Sequence, residues 1–165
     1  MDARHNDLRD WAATSWSTCT NQRVTTEQHV PQWDTTNRRG DPVEARLDVA
    51  TTDPSTGNLL YFDVCVWTAH SPDASTLRTR AQHPGRCAAD AAAHKHRRYP
   101  QAGSMLHPLP LEAGGRSGED FVSSVRRCGA AAGEDEPQAC SRLWFEASTI
   151  LQRANAELIL AANGA

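Results

Sequence analysis

The stretch Ala45–Trp67 reads ARLDVATTDPSTGNLLYFDVCVW: two alternating apolar runs on either side of Asp53-Pro54-Ser55-Thr56-Gly57-Asn58, a dense cluster of turn formers. That pattern commits the chain to an antiparallel hairpin. With the turn centred between Ser55 and Thr56, Leu47 opposes Val64 and Val49 opposes Phe62; with Leu60 and Val66 they make one apolar face. On the other face Asp48 lies directly across from Asp63. Like charges so opposed destabilise a strand pair by up to about 1 kcal/mol. A divalent cation shared by both carboxylates would remove the repulsion. A register slipped by a residue or two would instead leave them edging a solvated face, and the hairpin alone leaves both arrangements open.

The chain has 165 residues, room for one domain with a real core. The expected division is a single domain over residues 1–165, with a core over about 5–112 and C-terminal packing helices over about 119–162. A 39% share of hydrophobic residues with 22% charged fits a soluble globular protein, and a net charge of −3 provides no overall basic field. Nucleic-acid binding therefore needs a local patch, and His94-Lys95-His96-Arg97-Arg98 is one. The five cysteines are odd in number and form no Cys-x-x-Cys pair, which argues against a disulfide framework or structural zinc and for a reducing, intracellular setting. The opening MDARHNDLRDW has no apolar core of a signal peptide, and no apolar run is long enough to span a membrane.

Residues 3–18 carry Leu8, Trp11, Ala12 and Trp16 at helical spacing, with His5, Asn6 and Arg9 on or near the opposite side. Residues 23–31 read as a strand between Val24 and Val30; its one carboxylate, Glu27, is either surface decoration or a third oxygen ligand. Gln32–Pro42 reads as a polar loop. Residues 76–82 suggest a helical turn before Pro84-Gly85 breaks any longer helix. Over 86–99, Ala88, Ala91, Ala92, Lys95 and Tyr99 share one helical stripe, and the small alanines allow close approach to a sheet. Lys95 on that stripe either snorkels out at its edge or points at something negative. SMLHPLPL, residues 104–111, reads as an edge strand because of its two prolines. A helix over 119–130 turns Phe121, Val122 and Val125 inward. A last helix over about 138–162 carries the stripe Leu143, Ala147, Ile150, Leu151, Ala154, Leu158 and Ala161, too short for a convincing coiled coil with a second copy. The sum is α/β: a central mixed sheet flanked by helices.

Two carboxylates on neighbouring strands and a lysine on a covering helix are the parts of metal-assisted phosphodiester hydrolysis. Mg²⁺ takes a few carboxylates and keeps its waters; a lysine orients the attacking water or steadies growing phosphate charge. Arg97 and Arg98 are placed to hold backbone phosphates. The arrangement resembles the PD-(D/E)XK, restriction-endonuclease-like superfamily, and more narrowly the endonuclease domains of non-LTR retroelements. It does so through Arg46-Leu47-Asp48, Phe62-Asp63-Val64 and Lys95-His96-Arg97-Arg98-Tyr99, with Glu27 and the LPLEAGGRSG stretch as flanking segments. The resemblance implies a restriction-endonuclease-like fold cleaving DNA with Mg²⁺ or Mn²⁺. Asp48 and Asp63 would bind the metal, Lys95 would assist the water, Glu27 would be an accessory acid, and Tyr99 would be an accessory residue that packs the helix or, as the less favoured alternative, touches a phosphate. It also implies a nuclear setting if the chain derives from a eukaryotic retroelement, and admits a homodimer or a place within a longer polyprotein.

The pattern departs from the superfamily at two places. Leu47 stands where proline is usual, and Cys65 stands where the strand-borne lysine is usual. A thiol cannot replace an ammonium group, so activity requires Lys95 to act from the helix. The rival reading is a catalytically inactive nuclease-like fold that binds DNA or a protein partner. A histidine-built zinc site is disfavoured, since His94 and His96 at i, i+2 cannot share a helix face and His70, His83 and His107 lack partners at ligand spacing. No Gly-x-Ser-x-Gly supports a serine hydrolase, and Cys65 has no evident base.

Overall fold

A computed structural model describes residues 3–163. Helix α1 (Ala3–Thr20) leads into strand β1 (Thr25–His29), then a 3-10 turn at Pro31–Trp33. The polar Gln32–Pro42 stretch contains two short strands that pair with each other, β2 (Thr35–Thr36) and β3 (Pro42–Val43). The hairpin follows as β4 (Arg46–Thr52) and β5 (Leu59–Trp67), then α2 (Ala74–Gln82), α3 (Arg86–Arg98), β6 (Leu106–Glu112), α4 (Glu119–Ala131) and α5 (Glu136–Asn163). The main sheet has the order β1-β4-β5-β6: β1 and β5 flank β4 antiparallel, and β6 runs parallel to β5 after the α2–α3 crossover. This is the expected mixed sheet flanked by helices, with the proline-bearing β6 at its edge.

The hairpin register is the one its turn chemistry dictates. Val49 pairs with Phe62, Ala50 with Tyr61 and Thr51 with Leu60. The Asp53 side chain accepts from the Ser55 N–H and hydroxyl, while Gly57 supplies the positive φ of 73° that closes the turn. Regular pairing stops at Val49, one residue short of Asp48.

Two apolar clusters fill the two sides of the sheet. Leu8 and Trp16 of α1, Val49, Phe62 and Val64 of the hairpin, Phe121 of α4 and Leu143 and Leu151 of α5 form one. Val30, Trp33, Ala45, Leu47, Ala50, Tyr61, Tyr99 and Leu106 form the other. Leu47 corrects the sequence reading, which set it beside Val49 on one apolar face. The alternation breaks at Asp48, without an inserted residue: β1 keeps one register on both sides, Thr26 with Val49 and Gln28 with Leu47.

Two helices also differ from expectation. Asp73 caps α2 by accepting from the Thr76 N–H, so the expected turn becomes a helix from Ala74. The apolar stripe of α5 is buried only as far as Ala154; Leu158 is 44% exposed, and Ile159 and Leu160 more so, because no described element reaches the last turns. Where α4 and α5 cross, Gly129 faces the buried Ala139 so closely that a methyl at Gly129 would overlap its Cβ. Gly129→Ala gains roughly 1 kcal/mol of helix propensity but overpacks this crossing at a cost of about 1–3 kcal/mol. Urea unfolding is expected to show a net loss, and a stabilised variant would contradict this packing.

Candidate active site

Continuing the hairpin register by one pair sets Asp48 opposite Asp63, and continuing that of β1 and β4 sets Glu27 opposite Asp48. Three acidic residues therefore occupy one row across three adjacent strands. Glu27 sits at a φ of 54°, a left-handed conformation that costs a non-glycine residue. Asp48 and Asp63 are nearly inaccessible, at 5% and 2%.

Each carboxylate is held from a different direction. The Val64 N–H, freed from the strand ladder, donates to Asp48 Oδ2 at 2.6 Å. His5 Nε2 of α1 lies 2.9 Å from Asp48 Oδ1. Lys95 Nζ donates to Asp63 Oδ1 at 2.7 Å. Asp63 Oδ2 is buried with no hydrogen-bond partner among the described residues. A bare buried carboxylate oxygen is costly, which is a reason to look for something that binds it.

The electrostatics divide the pair. Burial pushes Asp63 up to about 7, Lys95 pulls against this, and the charge of Asp48 adds to the rise. Burial also works on Asp48, but the His5 hydrogen bond and charge, the Asp63 carboxyl and the Val64 N–H outweigh it and hold Asp48 below the usual range. Asp48 is thus the more readily ionised member of the pair, and Asp63 the one that holds its proton to higher pH. The bond to Asp48 raises His5 against the opposing effect of burial, favouring the imidazolium. Burial works to lower Lys95, yet the charge of Asp63 and its hydrogen bond, together with the neighbouring Cys65 and Asp48, outweigh it and raise Lys95. Lys95 is therefore a fixed cation and not a neutral base.

The remaining candidates have settings of their own. Glu27 is engaged by Arg9, whose Nη1 lies 2.5 Å from Oε1, so its carboxylate is already neutralised. Tyr99 is buried, its ring 5.9 Å from that of Trp33, with the Arg98 guanidinium over it at 5.2 Å; it packs the end of α3. Arg97 and Arg98 are exposed on the last turn of α3. Cys65 lies beneath α3 with its thiol pushed up to about 12 by burial, too inert to be a nucleophile. The sequence reading missed His5 and Arg9, setting them away from the packed side of α1. Their i, i+4 spacing puts both on one stripe, and that stripe faces two acids of the row.

Among the described residues no three His, Cys, Asp or Glu side chains converge at metal-ligand spacing. The set on offer for a cation is the Asp48–Asp63 pair. That suits Mg²⁺, which binds through one or two carboxylates and keeps several waters, and the unpartnered Asp63 Oδ2 fits such a ligand. No protein-family model matches this chain. No curated protein is significantly similar to it. Among the described residues no helix is long and apolar enough to cross a membrane.

Two outcomes follow. Cys140 is half-buried and the other four cysteines are buried, so an aromatic disulfide reagent is expected to titrate Cys140 rapidly in the native protein and the rest only on unfolding. Prompt reaction of Cys65 would show a looser site. The second concerns Lys95. A carboxyl raised by folding carries a penalty that is absent at low pH, grows as pH passes the unfolded value, and is complete above the folded one. Lys95→Ala raises Asp63 further, so in EDTA it should cost about 1.5–3 kcal/mol at about pH 8 and distinctly less at about pH 5. Equal losses at both values would show that Asp63 does not titrate in this range.

Proposed function

We propose that this chain is a divalent-metal-dependent endonuclease hydrolysing phosphodiester bonds in DNA, built on the PD-(D/E)XK plan. The observation that supports it most is the buried Asp48–Asp63 pair on adjacent strands, met by Lys95 from the covering helix and retaining one unpartnered oxygen on Asp63. Asp48 and Asp63 would hold Mg²⁺ or Mn²⁺. Bound there, the cation supplies Lewis acidity toward the phosphate and acidifies a water. Lys95, permanently charged, steadies the negative charge that grows on the phosphate and orients the attacking water. Arg97 and Arg98 contact backbone phosphates from the exposed end of α3. A retroelement origin, a homodimer and a place in a longer polyprotein belong to the same reading.

The second reading is a nuclease-like fold that binds DNA or a protein partner without turnover. It is favoured by Lys95 already neutralising Asp63, and by a thiol at position 65. Supercoiled plasmid with Mg²⁺ or Mn²⁺ separates the two. Wild type should nick, and Asp63→Ala and Lys95→Ala should each lower the rate by at least about a hundredfold with circular dichroism unchanged. Folded wild type that retards DNA but never cuts it would favour the second reading. Cutting that survives in Asp63→Ala would mean that the site lies elsewhere.

A further inference from the structure

The geometry points to His5 as a positioning residue of the metal-binding pair, an inference that rests on the metal-site reading above. A carboxylate turns about its Cβ–Cγ bond, and one hydrogen bond leaves much of that rotation free. Asp48 has two tethers from separate elements: the Val64 N–H of β5 on Oδ2 at 2.6 Å, and His5 Nε2 of α1 on Oδ1 at 2.9 Å. Together they fix the plane of the carboxylate, while each oxygen keeps lone-pair capacity for a cation. Asp63 has one such tether, Lys95 at 2.7 Å on Oδ1, and its Oδ2 has no partner among the described residues.

His5 can do this because α1 is itself immobilised. Leu8, Ala12 and Trp16, on the following turns, are buried against the sheet. That packing delivers the imidazole, 22% exposed at its side chain, to a carboxylate that is only 7% exposed. One turn further on, Arg9 holds Glu27 in the same manner. A single helix face thus grips two acids of the row, a role that apolar residues at positions 5 and 9 could not fill. Ligand-orienting partners of this kind are worth about 10–100-fold in metal affinity.

The test is Mn²⁺ binding to the full chain, read from the paramagnetic resonance signal of free Mn²⁺, with circular dichroism to verify folding. His5→Ala is expected to weaken binding about tenfold or more. His5→Gln restores an N–H donor of similar reach and is expected to bind within about threefold of wild type. Asp48→Ala should bind at least as weakly as His5→Ala. His5→Ala binding like wild type would overturn the positioning role while leaving the metal site standing. His5→Gln as weak as His5→Ala would overturn it too, because the donor would then not be what matters. Wild type that binds no Mn²⁺ would overturn the metal site, and this inference with it.

Discussion

Two carboxyl groups forced together in the middle of a sheet set the terms for the surrounding structure. At 5% and 2% exposure neither Asp48 nor Asp63 can be screened by water, and their mutual repulsion is felt at low local dielectric. The fold answers with unequal acidities for the two groups and with donors recruited from three elements. β5 releases a backbone N–H from its ladder, α3 contributes an ammonium group, and α1 contributes an imidazole. The strand irregularities gather at the same row: pairing lapses between Asp48 and Asp63, and Glu27 takes a left-handed φ. A hairpin optimised only for folding would carry apolar or oppositely charged residues there. Departures from local consistency of this kind are expected where function competes with stability.

Much of this was legible in the sequence because it depends on short-range rules. The turn residues Asp53 to Asn58 set the hairpin register, and that register alone put Asp48 across from Asp63. The alanine stripe of α3 carried Lys95 onto the packed face, where it meets Asp63. Two prolines marked β6 as an edge strand. What stayed hidden depends on how distant elements are placed. Nothing local to α1 says that the side bearing His5 and Arg9 turns toward acids lying beyond position 20, because a polar residue beside an apolar stripe looks the same whether it meets water or a buried carboxylate. Leu47 was misassigned because strict alternation was carried through the one row where it fails. The end of α5 was read as packed because its apolar period continues past the point where the other elements end.

Lys95 shows how charge and position trade against one another. A lysine in these surroundings cannot become a neutral base near neutral pH, since Asp63, its hydrogen bond and the neighbouring acidic groups together outweigh burial and hold the proton on. It reaches Asp63 from a helix, while position 65 on the strand holds an inert thiol. The strands provide the acids and the helix provides the cation.

Both borders of the main sheet carry obstacles to further strands. β6, on one side, includes Pro108 and Pro110, which have no N–H to offer an incoming chain. β1, on the other, is five residues long and interrupted at Glu27 by its left-handed backbone. Neither border presents the long, regular row of donors and acceptors on which a foreign strand or a fibril could template itself. The sheet is in effect a finished object at four strands. A partner that approaches either border of this sheet meets side chains before it meets a regular ladder of backbone donors and acceptors.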